Sequence, residues 1–377
     1  MKDLDDRLRA SKPPVVPSAM NPAMTAFING IGRWDDRAAF TPDGARIDDR
    51  LFVRSLEVDL RAAVDPFADA VATFSLEGGP DGGFEADLEE AYVIVKQLPI
   101  VNAAPLGLKL KLGKYRAPFG LANRIHMHDL PWTTRPLPVT TLLGSEHGPT
   151  FEGGYSPIGA DAEIMLPELI PGAVIEANLD VLDGGGLAIS DPGDPSTHRH
   201  LGYLGRAHVF TTIRDAHDLD LGVSAYAERG DRYARLYGVD LLYKWKPVTA
   251  GEFHSVVLGG ELMWADRAFV PDGGLAPGAP LARASPMAWY AFGQYQLSWH
   301  TYLGARYDDA ESPLDGLTRT RVAAGYLSYY TSEFLRFRVG YEHRWSDDPA
   351  DDGGNTLFTE VNVVFGSHPT EPYWVNR

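Results

Sequence analysis

Two histidines one residue apart, His126 and His128, offer the clearest chemistry in this chain. In an extended segment this spacing puts both imidazoles on one side, about 7 Å apart at the backbone, where both can reach one divalent metal. Asp129, Glu146, His147 and His208 are the candidate further ligands, and the set His126, His128 and His147 is the expected metal site. The competing reading is that the rings hydrogen-bond their segment to the structure beside it. His198 and His200 repeat the spacing and read as a solvated loop edge. Arg116, Arg124 and Arg135 surround the first pair, set against Asp129 and Glu146. Fixed charges of both signs in one segment can sort ions and dipolar solutes. No Gly-x-Ser-x-Gly elbow, His-Glu-x-x-His helix, P-loop or Gly-x-Gly-x-x-Gly unit is present. Ser145, Glu146 and His147 are neighbours in sequence, which does not make a triad. No enzyme is expected, and no cofactor beyond that divalent metal.

The elements that position these residues follow from composition and period. The chain has 377 residues, 51 acidic against 34 basic side chains, a net charge of -17 and no cysteine. The acidic balance excludes a global field for phosphate, so no nucleic-acid partner is expected. Without cysteine there is no disulfide scaffold, thiolate metal site or cysteine nucleophile. No apolar run is long enough for a transmembrane helix, a test that a β-barrel passes unseen. Residues 1–10 lack an apolar signal-peptide core, and four prolines in 11–22 break any helix. Residues 1–22 therefore read as an N-terminal tether or a disordered tail.

From about residue 24 the period is two. Leu335, Phe337, Val339, Tyr341, His343 and Trp345 share one face against Arg336, Arg338 and Glu342. Met287, Trp289, Ala291, Tyr295, Leu297 and Trp299 share another. Phe52, Leu56, Val58, Leu60 and Ala62 oppose Ser55, Glu57, Asp59 and Arg61. A soluble sandwich would turn the apolar face into a core, and a membrane barrel would turn it to lipid. The spacing of Trp289 and Trp299, at about 3.3 Å per residue and about 40° of tilt, spans roughly 25 Å of membrane normal, the separation of two aromatic girdles. The arginines on the polar faces favour a wet lumen over a dry core.

The connections alternate. Short ones fall near 64–67, 97–105, 166–172, 213–217, 247–252, 298–300 and 331–333. Longer or more acidic ones fall near 34–49, 78–85, 116–147, 184–198, 267–284, 309–318 and 346–354, with a tight one near 230–232. This rhythm predicts an all-β, antiparallel up-and-down transmembrane barrel of about sixteen strands over 23–366, with both termini on the short-turn side. Stretch 148–165, interrupted by Gly153, Gly154, Pro157 and Gly159, reads as one bulged strand or two short ones. Residues 367–377 read as a C-terminal extension that folds back on the barrel. Loop 116–147, stiffened by proline, is too long for a mere connector and is expected to fold inward.

Gly113, Lys114, Pro118, Phe119 and Gly120 open that third loop with the spacing Gly-Lys/Arg-x-x-x-Pro-Phe-Gly. This motif, with the strand pair 56–76 and 88–99, resembles the phosphate-selective porin O and P superfamily. Asn123, Arg124, His126 and His128, with Gly366, Ser367, His368 and Pro369, resemble a subgroup with a His-x-His third loop. The resemblance implies a sixteen-stranded, often trimeric barrel in the outer membrane of a Gram-negative bacterium, admitting small solutes. The acidic balance and the absence of a long lysine ladder depart from the phosphate type. The expected constriction is Arg116, Arg124, His126, His128, Asp129 and Arg135. The expected pore lining is Arg61, Lys109, Lys111, Arg206, Arg319, Arg321, Arg336 and Arg338 with Glu57 and Asp59, backed by Glu176, Asp180, Asp220, Glu228 and Glu360. Paired arginines make one wall basic and the carboxylates make another acidic, in an open lumen or across a plugged one. The expected partners are membrane lipid, lipopolysaccharide and small solutes or ions. The expectation is passive diffusion, with a metal-binding barrel that assists divalent metal uptake as the alternative and a soluble β-sandwich binding module as a third reading.

Overall fold

The computed structural model describes residues 21–40, 46–47, 50–78, 83–98, 103–144, 154–190, 201–214, 216–229, 232–247, 253–271, 274, 279–348 and 353–366. Most of the tether and the whole C-terminal extension expected from the sequence lie outside the described residues, as do Glu146, His147, His198 and His200.

Sixteen antiparallel strands close into one barrel. They are β1 Ala23–Asp35, β2 Arg50–Ala63, β3 Ala68–Gly78, β4 Phe84–Val95, β5 Lys109–Lys114, β6 Ile158–Met165, β7 Ala173–Asp183 and β8 Leu201–Ile213. The second half is β9 His217–Glu228, β10 Tyr233–Trp245, β11 Val256–Phe269, β12 Met287–Gln296, β13 Thr301–Glu311, β14 Arg319–Ser332, β15 Leu335–Ser346 and β16 Gly354–Gly366. Each strand pairs with its neighbours in sequence, and β1 closes the ring on β16 from Thr25↔Gly366 to Asp35↔Thr356. A short strand, Ala282–Ala284, extends the ladder beside β11, and Ala39–Phe40 pairs with Arg46–Ile47 in the first long loop. The chain enters β1 and leaves β16 at the short-turn end.

The faces decide between sandwich and membrane barrel. Phe337, Val339 and Tyr341 are exposed on the outside, whereas Arg336 and Arg338, on the alternate positions, are buried inside. The same inversion holds for Leu221 and Val223 against Ser224, and for Val361 and Phe365 against Glu360 and Asn362. Apolar outside and polar inside is the pattern of a barrel solvated by lipid. Among the described residues no helix is long and apolar enough to cross a membrane. Trp299 lies in the turn after β12, exposed and tilted against Phe253 with ring centroids 3.9 Å apart, so it marks the end of that strand rather than a position within it.

The register shifts at three places among the described residues, one of them at Tyr330–Ser332 near the end of β14, and the other two re-aim lumen side chains. Opposite Asn29 and Gly30 the register skips Arg54, so Arg54 and Ser55 both turn inward and Val53, not Phe52, shares the outward face with Leu56. Opposite Thr73 and Phe74 it skips Glu89, which lets Glu89 and Glu90 both serve the lumen. A bulge re-aims side chains in this way. The stretch 148–165 yields one strand, β6, and the third connection runs from Tyr115 to Pro157.

Candidate functional site

The third loop crosses the inside of the barrel. It leaves β5 at Gly113, whose positive φ and approach to the Ala91 carbonyl exclude a side chain. The Pro118 turn follows, with the Phe119 amide donating to the Ala117 carbonyl at 2.7 Å. Gly120, at φ +60, has no room for a Cβ because the Glu261 carboxylate lies against it. The Pro-Phe-Gly motif therefore has a physical content: Phe119 enters the lumen against Gly238, and the backbone beyond presses onto a wall carboxylate. That carboxylate accepts the Ala122 amide at 2.5 Å and the Tyr290 hydroxyl at 2.6 Å.

Short helical turns at Ala122–Arg124, Met127–Asp129 and Val139–Leu143 then build a small core within the membrane barrel. Phe119, Met127, Leu130, Trp132, Leu142 and Leu143 are all buried, against Leu182, Leu204, Tyr226, Leu236, Met263 and Phe292 of the wall. The Trp132 ring stands edge-on to Phe292 at 4.6 Å. Leu187 and Ile189, from the connection after β7, join the same core.

On the opposite side the contacts are charged. Glu360 accepts from Arg336 at 2.6 Å, Arg338 at 2.9 Å, Asn29 at 2.9 Å and Thr133 of the loop at 3.0 Å. Arg54 donates to the Thr133 carbonyl at 2.6 Å, and Arg338 to the Leu130 carbonyl at 2.8 Å. Arg306 donates to the Thr134 carbonyl at 2.6 Å, and the Leu137 amide to Asp308 at 3.1 Å. Thr134 also donates to Glu342. The packed side carries polar ties as well: Tyr115 donates to Asp180 of β7 at 2.9 Å, and the Gly120 amide to Ser224 of β9 at 3.2 Å.

The histidine pair sits where the loop meets β2 and β4. The rings are 5.6 Å apart. His126 Nδ1 lies 3.0 Å from Glu89 and 3.5 Å from Glu57, and its Nε2 lies 3.1 Å from Glu90. His128 Nδ1 is 3.0 Å from the other oxygen of Glu57, and the ring stacks on Phe27 at 3.9 Å. Burial and Arg116 pull the proton affinity of His126 down, but Glu57, Glu89 and Glu90 outweigh them and hold its pKa well above the ordinary imidazole value. Burial likewise lowers that of His128, but the Glu57 and Asp129 charges and the hydrogen bond to Glu57 together outweigh it and leave its pKa raised.

The expected constriction set divides. Arg116, His128 and Arg135 are buried and hold the loop: Arg116 pairs with Glu89 at 3.2 Å, and Arg135 donates to the Ala122 and Ile125 carbonyls. Arg124, His126 and Asp129 keep contact with solvent, and between 115 and 136 Ile125 alone shares that property with them. Of the expected lining, Arg61, Lys109, Lys111, Glu57 and Asp59 face the lumen of β2 and β5, and Arg206 is buried against Asp240 at 2.6 Å. Arg336 and Arg338 face inward but share Glu360, so they do not form an uncompensated basic wall. Arg319 and Arg321 are a correction. They lie on the face of β14 carrying the exposed Leu327 and Tyr329, at the long-loop rim, paired with Glu311 at 2.5 Å and Asp309 at 3.1 Å. Val322, Ala324 and Tyr326 take the inward positions on that strand. His208 serves its own wall, between Glu176 and Asp220 at 3.0 Å each.

Sequence reading missed Glu89 and Glu90, which an unbulged strand would send to opposite faces. It also missed Arg54, for the same reason, and Trp132, whose apolar setting is inside a lumen expected to be wet.

No family model matches the chain. An uncharacterized protein of Aquifex aeolicus is 22% identical over 356 residues, covering 84% of this chain and 69% of that protein. The outer membrane channel DcaP of Acinetobacter baumannii is similar with a TM-score of 0.56 and 12% identity, covering 94% of this chain and 99% of that one. The anion-selective porin from Comamonas acidovorans gives 0.56 and 10%, covering 92% and 99%. The trimer form of OmpT, an outer membrane protein of Vibrio cholerae, gives 0.52 and 11%, covering 91% and 99%. The chain thus has the fold of outer-membrane channels and porins, at an identity that speaks for fold alone.

Proposed function

We propose that this chain is a non-enzymatic, porin-like channel in the outer membrane of a Gram-negative bacterium, passing small hydrophilic solutes or ions with the third loop as its constriction. One observation carries the reading: a closed barrel with an apolar outside holds a loop tied to strands around its inner circumference. Solutes pass on the side of the loop where Arg124, His126 and Asp129 meet solvent, along the wall that bears Arg61, Lys109 and Lys111. Charges of both signs there suit small ions and dipolar solutes rather than phosphate alone, so the phosphate-type resemblance extends to architecture and to the His-x-His loop but not to selectivity. The expected assembly is a homotrimer, as for the Vibrio cholerae OmpT form. The outward apolar face meets lipid, and the charged rim at Arg319 and Arg321 meets lipopolysaccharide.

The experiment is single-channel recording of refolded protein in a planar bilayer under a salt gradient. Small, steady conductance steps are expected, growing in Arg124→Ala. Correctly folded protein that conducts nothing, as wild type and as the variant, would overturn the reading.

A further inference from the structure

We infer that Glu57, Glu89 and His126 form a binding site for a first-row divalent transition metal, which latches the third loop to strands β2 and β4. The three offer one ligand atom each, all within 4.8 Å of one another. An imidazole with carboxylates suits zinc and its neighbours. Four-coordinate bonds of about 2.0–2.1 Å put ligand atoms roughly 3.3 Å apart. His126 Nδ1 stands 3.0 Å from Glu89 and 3.5 Å from Glu57, on either side of that separation.

Hydrogen bonding alone leaves this cluster incomplete. His126 Nδ1 carries at most one proton but faces two carboxylates. Glu57 Oε2 and Glu89 Oε1 are buried and accept no hydrogen bond among the described residues. Glu57, Glu89, Glu90 and Asp129 surround two imidazoles and the Arg116 guanidinium, which leaves negative charge in excess whatever the protonation of the rings. Burying such an excess is unfavourable, and a dication in place of the Nδ1 proton offsets it. The support behind the ring is also present. Glu90 lies 3.1 Å from Nε2, the arrangement in which a carboxylate fixes the tautomer of a metal-binding histidine. His126 keeps 18% of its side-chain exposure, so an ion has a way in. Because the ligands come from loop and wall, the bound ion would tie the two together. This site differs from the one expected from sequence: the metal takes the carboxylates that flank His126, and His128 remains on the far oxygen of Glu57.

The binding claim stands apart from the channel reading. The test is zinc titration of the refolded full chain in detergent, against a chromophoric chelator. Wild type is expected to bind zinc with one site, lost in Glu89→Gln and in His126→Gln. Glu90→Gln should weaken it roughly 10-fold or more, and His208→Gln should leave it unchanged. X-ray absorption on the zinc-loaded wild type provides a check without substitution, with a first shell at about 2.0–2.1 Å containing one imidazole. A two-imidazole shell, unchanged binding in His126→Gln and Glu89→Gln, or no binding by folded wild type would overturn the site. Zinc binding without conductance would sink the channel and spare the site. Conductance without zinc binding would do the reverse.

Discussion

The two sides of the third loop are held by different physics. Toward β7–β12 it is mainly packed, with Phe119, Leu130 and Trp132 buried among wall aromatics and aliphatics beside a few polar ties to Asp180, Ser224 and Glu261. Toward β13–β16, β1, β2 and β4 it is bonded, through Glu360, Arg54, Arg306, Arg338 and the carboxylates at His126. Packing holds the loop inside the barrel but tolerates small shifts. Bonding to buried charges fixes its position, since each group left without a partner costs far more than the intact pair contributes. The packed side explains why the loop stays in, and the bonded side explains where it stays.

The largest effect should come from the bonded side. Glu360→Gln leaves Arg336 and Arg338 buried without their shared counter-charge, at about 3–5 kcal/mol. Thermal unfolding should report the loss, and conductance steps should become larger and noisier as the loop loosens. On the packed side, Leu130→Ala should cost about 2–5 kcal/mol through lost burial and a cavity. Its conductance should change much less, because the polar bonds still set the loop's position. Equal effects of the two variants on conductance would erase the distinction.

Smaller effects test the frame around the loop. Val339 is exposed on the outer face near the middle of β15, so Val339→Arg should destabilise the membrane-embedded form by about 2–4 kcal/mol. The same substitution would be nearly neutral if that face met water. At the short-turn mouth, Lys109 and Glu163 pair at 2.6 Å with the lysine half exposed. Lys109→Ala should cost no more than about 1 kcal/mol, read by urea unfolding, while shifting ion selectivity toward cations.

Much of this frame was legible in the sequence. The period of two gave the faces of β9, β15 and β16, and the alternation of short and long connections gave sixteen strands and the side of the termini. The Gly113–Gly120 motif marked the loop that enters the lumen. What stayed hidden depends on a single inserted residue or on distant partners. A bulge at Glu89 turns two consecutive glutamates toward one histidine, and one at Arg54 places an arginine over Thr133; neither leaves a local signature. Arg336 and Arg338 alternated as a basic stripe, but only the β15–β16 register brings Glu360 between them. Arg319 and Arg321 belong to the outward parity of β14, which their polarity concealed.

The central claim is that the third loop lies across the lumen, bonded to the wall. The chain has no cysteine, so an introduced pair reports on one contact alone. A Cβ at Gly340 would lie 3.6 Å from the Thr133 hydroxyl, within reach of a disulfide. Thr133→Cys with Gly340→Cys should cross-link spontaneously in folded protein, leave single-channel conductance close to that of wild type, and change it little on reduction. If the folded double variant fails to cross-link under oxidising conditions, or if cross-linking closes a pore that was open before, the loop does not rest where this account places it.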